Sequence, residues 1–156
     1  MNQNIKISPG NRNEISDVVR LMIKSDHRDE LWAKHRASKY LLNENKDRLI
    51  LLARDKNDLI GYAGIVKYDD NPAGDFVNLD DYSWITWIAV LPEYRNKGIG
   101  SLLLKFAEQH SKDFMKKGIL LDCREKLLPF YERNGYNLIG SYMKDNSKTC
   151  VLERLF

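Results

Sequence analysis

The stretch Trp84–Ser101 constrains the chain more than any other. Trp84-Ile85-Thr86-Trp87-Ile88-Ala89-Val90-Leu91 is an apolar run of β-branched and aromatic residues closed by Pro92, which reads as a strand. A short basic loop, Glu93-Tyr94-Arg95-Asn96-Lys97, leads directly into a helical pattern. From Gly98 to about Phe114, Ile99, Leu103, Phe106, Ala107 and His110 fall on one stripe. Gly98 and Gly100 remove the Cβ atoms that would block close backbone approach. The first turn of the helix then points free N–H groups and its positive dipole end into that space. Arg95 and Lys97 add charge, so the loop suits a pyrophosphate. Two glycines one residue apart are a weak signal alone, so context has to decide. A dinucleotide-binding turn would need a third glycine and an acid about 20 residues on. A P-loop would need Gly-Lys-Ser/Thr, but Gly100 is followed by Ser101 and Leu102.

The rest of the chain supplies layers for this unit to pack in. Ile5-Lys6-Ile7 alternates as a first strand, broken by Ser8-Pro9-Gly10-Asn11. Ile15, Val18, Val19, Met22 and Ile23 mark a helix from Asn13, and a more polar helix is expected over Asp29–Leu42. Leu49–Ala53 and Leu59–Tyr68 read as strands joined at Asp55-Lys56-Asn57-Asp58. Asp69–Asp81 is an acidic loop. Ile119–Cys123 is a strand and Leu127–Asn134 a short helix with Pro129 in its first turn and Gly135 just beyond its end. Tyr136–Met143 and Thr149–Leu155 close the chain as a hairpin. The order β-α-α-β-β-β-α-β-α-β-β predicts an α/β (α+β) fold: one mixed, strongly twisted sheet of about seven strands with helices on both faces. At 156 residues, a single domain over 1–156 is expected.

Composition narrows the function classes. A formal net charge of +3 tolerates an anionic ligand but is too small to imply nucleic-acid binding, even with Arg95, Lys97, Lys116 and Lys117 available. No apolar run has the length of a membrane span, and the start lacks the apolar core of a signal peptide. Cys123 and Cys150 fit a reducing, cytoplasmic setting and no metal-knuckle spacing. His27, His35 and His110 show no ligand spacing, so no metal is expected.

Two motifs carry a family resemblance. Arg95, Gly98 and Gly100, with Pro92 and the strand before it, match Arg/Gln-x-x-Gly-x-Gly/Ala, motif A of the GNAT (GCN5-related) N-acetyltransferases. Phe130-Tyr131-Glu132-x-x-Gly135-Tyr136 resembles that family's motif B. The resemblance implies acetyl-CoA as cofactor, its pyrophosphate on the backbone of Asn96, Lys97, Gly98, Ile99, Gly100 and Ser101 beside Arg95. Its pantetheine arm would pair with Ile88, Ala89 and Val90 in the manner of a strand. It also implies that Tyr131 lies near the coenzyme sulfur. A phenol of pKa about 10 can protonate a departing thiolate, so Tyr131 is the candidate general acid.

The wider stretch Cys123–Gly140 resembles the arylalkylamine N-acetyltransferase branch. Where animal members of that branch carry two histidines on the motif A strand, this chain has Trp84 and Thr86. The reading is therefore an N-acetyltransferase acting on a primary amine of a small molecule by direct attack in a ternary complex. Asp81, Trp84, Thr86 and Asp122 are the candidates for the acceptor side. Trp84 and Trp87 are expected to share a strand face, one in the core and the other as an aromatic wall. The acidic loop, with Asp69, Asp70, Asp75, Asp80 and Asp81, offers a rim for a cation. The rivals are a protein lysine or N-terminal acetyltransferase, a non-catalytic coenzyme-A-binding sensor, and a nucleic-acid binder. The C-terminal strands offer edges for a homodimer.

Overall fold

The computed structural model describes residues 4–42, 46–67 and 76–156. Asp69, Asp70 and Asp75 of the expected acidic loop lie outside the described residues. The elements are β1 (Ile5–Pro9), α1 (Ile15–Asp26), α2 (Glu30–Leu41), β2 (Arg48–Asp55), β3 (Asp58–Val66), β4 (Tyr82–Val90), α3 (Ile99–Asp113), β5 (Gly118–Arg124), α4 (Leu128–Arg133), β6 (Asn137–Lys144) and β7 (Ser147–Leu155). The strands hydrogen-bond in the order β1-β2-β3-β4-β5-β7-β6. The sheet is mixed: β4 and β5 run parallel, whereas β1/β2, β5/β7 and β6/β7 are antiparallel. The expected order of seven strands and four helices is the one observed.

Local chemistry sets the ends of these elements. Asn11 and Glu14 form a reciprocal capping box that opens a 3-10 turn leading into α1. His27 ends α1 in the left-handed conformation, its N–H donating to the Ile23 carbonyl. Asp29 caps α2 by accepting from the Trp32 N–H at 2.8 Å. Gly135 follows α4 at φ 86°, and an added Cβ there would lie 1.7 Å from Arg154 Nη1. Asp145 and Asn146 both take positive φ, the pattern of the two-residue hairpin turn between β6 and β7.

Backbone contacts gather the chain into two compact units, Met1–Ile65 with Trp87–Ala107, and Val66–Thr86 with Glu108–Phe156. The first buries Val18, Leu21 and Met22 of α1, Leu51 and Leu52 of β2, and Leu103 and Leu104 of α3. The second buries Ile119, Leu120 and Leu121 of β5 together with Val151 and Leu152 of β7. Within it, Ser83 and Ser111 are buried and satisfy each other, and Ser111 also donates to the Gly118 carbonyl at 3.1 Å.

Candidate active site

β4 is an interior strand, yet its two halves differ. Ser83, Trp84 and Ile85 are buried, whereas Thr86, Trp87, Ile88, Ala89 and Val90 are all partly exposed. The parallel ladder with β5 runs from Tyr82–Gly118 to Ile85–Leu121 and stops there. On the other side β4 stays closely held by β3. A Cβ on Gly61 would come within 2.9 Å of the Ala89 carbonyl oxygen, and the Leu91 N–H donates to the Ile60 carbonyl at 2.8 Å.

Past Pro92 the chain makes one 3-10 turn, with Tyr94 N–H on Leu91 O and Arg95 N–H on Pro92 O. Asn96 then takes φ 59° and Gly98 φ 80°, with Lys97 between them at negative φ. Such alternation turns successive N–H groups toward one side and forms an anion-binding concavity. Asparagine tolerates the left-handed region through its short polar side chain, and glycine enters it without strain. Nothing lies within 4 Å of the position a Gly98 Cβ would take, so the loop opens onto free space there. The first intrahelical bond of α3 is Leu102 N–H to Gly98 O at 3.0 Å. The N–H groups of Ile99, Gly100 and Ser101 therefore precede every intrahelical acceptor. This is a fitting cradle for a pyrophosphate.

Arg95 has a task the sequence did not reveal. Its Nε donates to the Val90 carbonyl and its Nη2 to the Ser25 carbonyl, both at 3.0 Å. It ties the loop to the end of β4 and to the last turn of α1, where a cation also complements the helix dipole. Lys97 Nζ lies 5.2 Å from the centre of the Tyr94 ring.

Tyr131, in the second unit, has a 5% exposed side chain. Its ring meets the edges of Phe130 and Tyr136 at 4.9 and 6.0 Å between centroids. Its hydroxyl has no hydrogen-bond partner among the described residues, yet it is not sealed from solvent. Burial, then the nearby Cys123 and Asp122, push its pKa well above the ordinary phenol value, so it remains a proton donor through neutral pH. Cys123 is buried and its thiol is pushed up to about 12, chiefly by burial, which fits an inert side chain.

The acceptor-side candidates are distributed differently. Trp84 is a core residue at 5% exposure. Trp87 instead lies against α2, its ring edge-on to Trp32 at 5.0 Å and 3.5 Å beneath the Arg36 guanidinium. The expectation that both share a face fails, because three residues on a strand of period two reverse the side chain. Thr86 is partly exposed. Asp81 pairs with Lys117 at 3.0 Å, and Asp122 accepts from the Tyr142 hydroxyl at 2.5 Å. Asp80 is exposed and its carbonyl accepts from Lys116.

Sequence reading missed a polar cluster in the first unit. The Tyr62 hydroxyl donates to Asp26, whose carboxyl is shifted upward by burial, with Arg28 and Arg95 nearby. The spacing of Trp32 and Arg36, four residues apart, was a visible signal that they share one face of α2, with Arg28 just ahead of the Asp29 cap. Nothing in the sequence indicated that the face meets Trp87.

Among the described residues no group of histidines, cysteines or carboxylates could hold a metal ion, and no helix is long and apolar enough to cross a membrane. The family model described as the acetyltransferase (GNAT) family matches residues 17–136. The chain belongs to that family. An uncharacterized N-acetyltransferase, YjcF, of Bacillus subtilis (strain 168) is 32% identical over 79 residues, 49% of this chain and 56% of that protein. The match thus spans little more than half of the curated relative's length. Among solved structures, an aminoglycoside 6'-N-acetyltransferase complexed with coenzyme A superposes with a TM-score of 0.74 at 16% identity, covering 96% of each chain. The ribosomal-protein-S18-alanine N-acetyltransferase of Escherichia coli superposes with a TM-score of 0.71 at 17% identity, covering 97% of this chain and 93% of the other. These likenesses establish the GNAT fold.

Proposed function

We propose that this GNAT chain is an acetyl-CoA-dependent N-acetyltransferase that acylates a primary amine of a small molecule by direct attack. The observation that carries the reading is the loop at the start of α3. It presents left-handed Asn96 and Gly98, three leading N–H groups and open space at the missing Gly98 Cβ. Asn96–Ser101 holds the pyrophosphate, and the partly exposed Ile88, Ala89 and Val90 receive the pantetheine arm. The coenzyme-A complex of the aminoglycoside enzyme supports the same cofactor.

When bound, acetyl-CoA supplies its acetyl group as a thioester, which an amine converts to an amide with release of the thiol. Arg95 keeps the cradle in shape by holding two backbone carbonyls. Tyr131 keeps its proton at neutral pH and gives it to the sulfur as the C–S bond breaks. The acceptor attacks as the neutral amine, the proton its nitrogen then sheds goes to water, and water returns a proton to the Tyr131 phenolate.

Thermal unfolding with and without acetyl-CoA, for the parent and Gly98→Trp, tests the cofactor site. A ligand that binds only the folded state stabilises it by about 2.7 kcal/mol at one hundred times its Kd. The parent midpoint should rise and that of the variant should not. A folded parent with no rise at millimolar acetyl-CoA removes the reading.

A further inference from the structure

Resting on the acetyltransferase reading, we propose that the acceptor amine also carries a carboxylate, received by the edge of the Arg36 guanidinium above Trp87.

The position is set within the first unit. Trp87 immediately precedes Ile88–Val90 on β4, the backbone assigned to the pantetheine arm. The Arg36 guanidinium carbon lies 3.5 Å from the centre of the Trp87 ring and 5.5 Å from that of Trp32. Trp32 packs edge-on against Trp87, and Arg28 lies 5.0 Å over Trp32. α2 thus lays a guanidinium and an indole directly on the strand where acetyl transfer is proposed.

The charge around Arg36 is uncompensated. No carboxylate forms an ion pair with it among the described residues; its partners there are the Trp87 and Trp32 rings and the Tyr40 hydroxyl. It is half-buried, and that burial lowers its pKa, the sign of a cation short of solvation. Tyr62, next to Arg36, directs its hydroxyl at Asp26, which lies among Arg28 and Arg95. Asp26, the carboxylate lying between Arg28 and Arg95, is therefore already engaged by Tyr62.

The geometry selects the ligand chemistry. A guanidinium laid over a ring directs its N–H groups outward in its own plane, a fork that matches a carboxylate with two parallel bonds. A ring face attracts the cation but accepts no such pair of bonds. A simple cationic amine meets repulsion here, whereas an amino acid or a similar amine acid is drawn in.

The test uses the full chain saturated with coenzyme A and follows intrinsic tryptophan fluorescence, to which Trp32 and Trp87 contribute alongside the core residue Trp84. The titrants are two product-like probes, N-acetylphenylalanine and N-acetylphenylalaninamide, which differ only in the carboxylate. The parent should bind the acid at least about tenfold more tightly than the amide. That ratio should fall to near one in Arg36→Gln and recover in part in Arg36→Lys, which keeps the charge but not the fork. Equal affinities in the parent, an undiminished ratio in Arg36→Gln, or no saturable response to the acid at roughly ten millimolar would overturn the inference. The acetyl-CoA shift in melting temperature is recorded on the same proteins. A normal shift without acid preference removes only the carboxylate assignment, while loss of the shift in the parent removes the acetyltransferase reading beneath it. A normal shift in Arg36→Gln shows that this variant is folded.

Discussion

Tyr131→Phe separates chemistry from packing at one atom. The substitution keeps the ring, and with it the edge contacts to Phe130 and Tyr136 at 4.9 and 6.0 Å. The deleted hydroxyl makes no hydrogen bond among the described residues, so no bond is broken and no buried partner is orphaned. Stability should change by less than about 0.5 kcal/mol, a melting-point change of about 2 °C at most for a chain of this length. A positioned general acid contributes about 10²–10⁴ in rate, which is about 2.7–5.4 kcal/mol of barrier. Release of free thiol from acetyl-CoA, followed with the fastest amine in a screen, should show kcat falling by that factor. The acetyl-CoA melting shift should persist, because the cradle proposed at Asn96–Ser101 is built from backbone N–H groups and does not include Tyr131. A Tyr131→Phe enzyme that is folded and within twofold of the parent kcat would refute the assignment and return Tyr131 to a purely packing role.

Other outcomes follow from the same geometry. Gly98→Ala meets no atom but must hold a side chain at φ 80°, so chemical denaturation should show a loss of about 1 kcal/mol, with Gly98→Asn losing less. Gly135→Ala should lose more, about 2–3 kcal/mol, because its Cβ displaces the Arg154 group that bonds Asn134 O at 2.9 Å and pairs with Glu108 at 3.1 Å. Burial raises the pKa of Tyr62, Tyr131 and Tyr136, and burial with a bond to Glu153 raises Tyr82 to about 12. The unfolded phenols ionise near pH 10 and release protons that the folded ones retain. Stability should therefore be whole below about pH 10 and fall above it. Denaturation midpoints against pH would show a shallower alkaline slope for Tyr131→Phe, and an unchanged slope would contradict the buried-phenol account.

The elements and their order were legible along the chain, because apolar periodicity and turn chemistry are local. The spacing of Ile15, Val18, Val19 and Met22 is enough for α1, and Asp29 is enough to cap α2. The cradle was legible for the same reason. Gly98, the basic loop and the helix start are contiguous, so their backbone conformation is settled within a few residues. Tertiary structure decided what is distant in sequence. It turned Arg95 back onto Val90 and Ser25, since a long side chain takes whichever carbonyls the fold brings within reach. It put Trp84 in the core and Trp87 against α2, 51 residues from Arg36 in the chain, and it engaged Asp81 and Asp122 with Lys117 and Tyr142. Such pairings depend on which faces meet across the sheet, which periodicity in one segment does not encode.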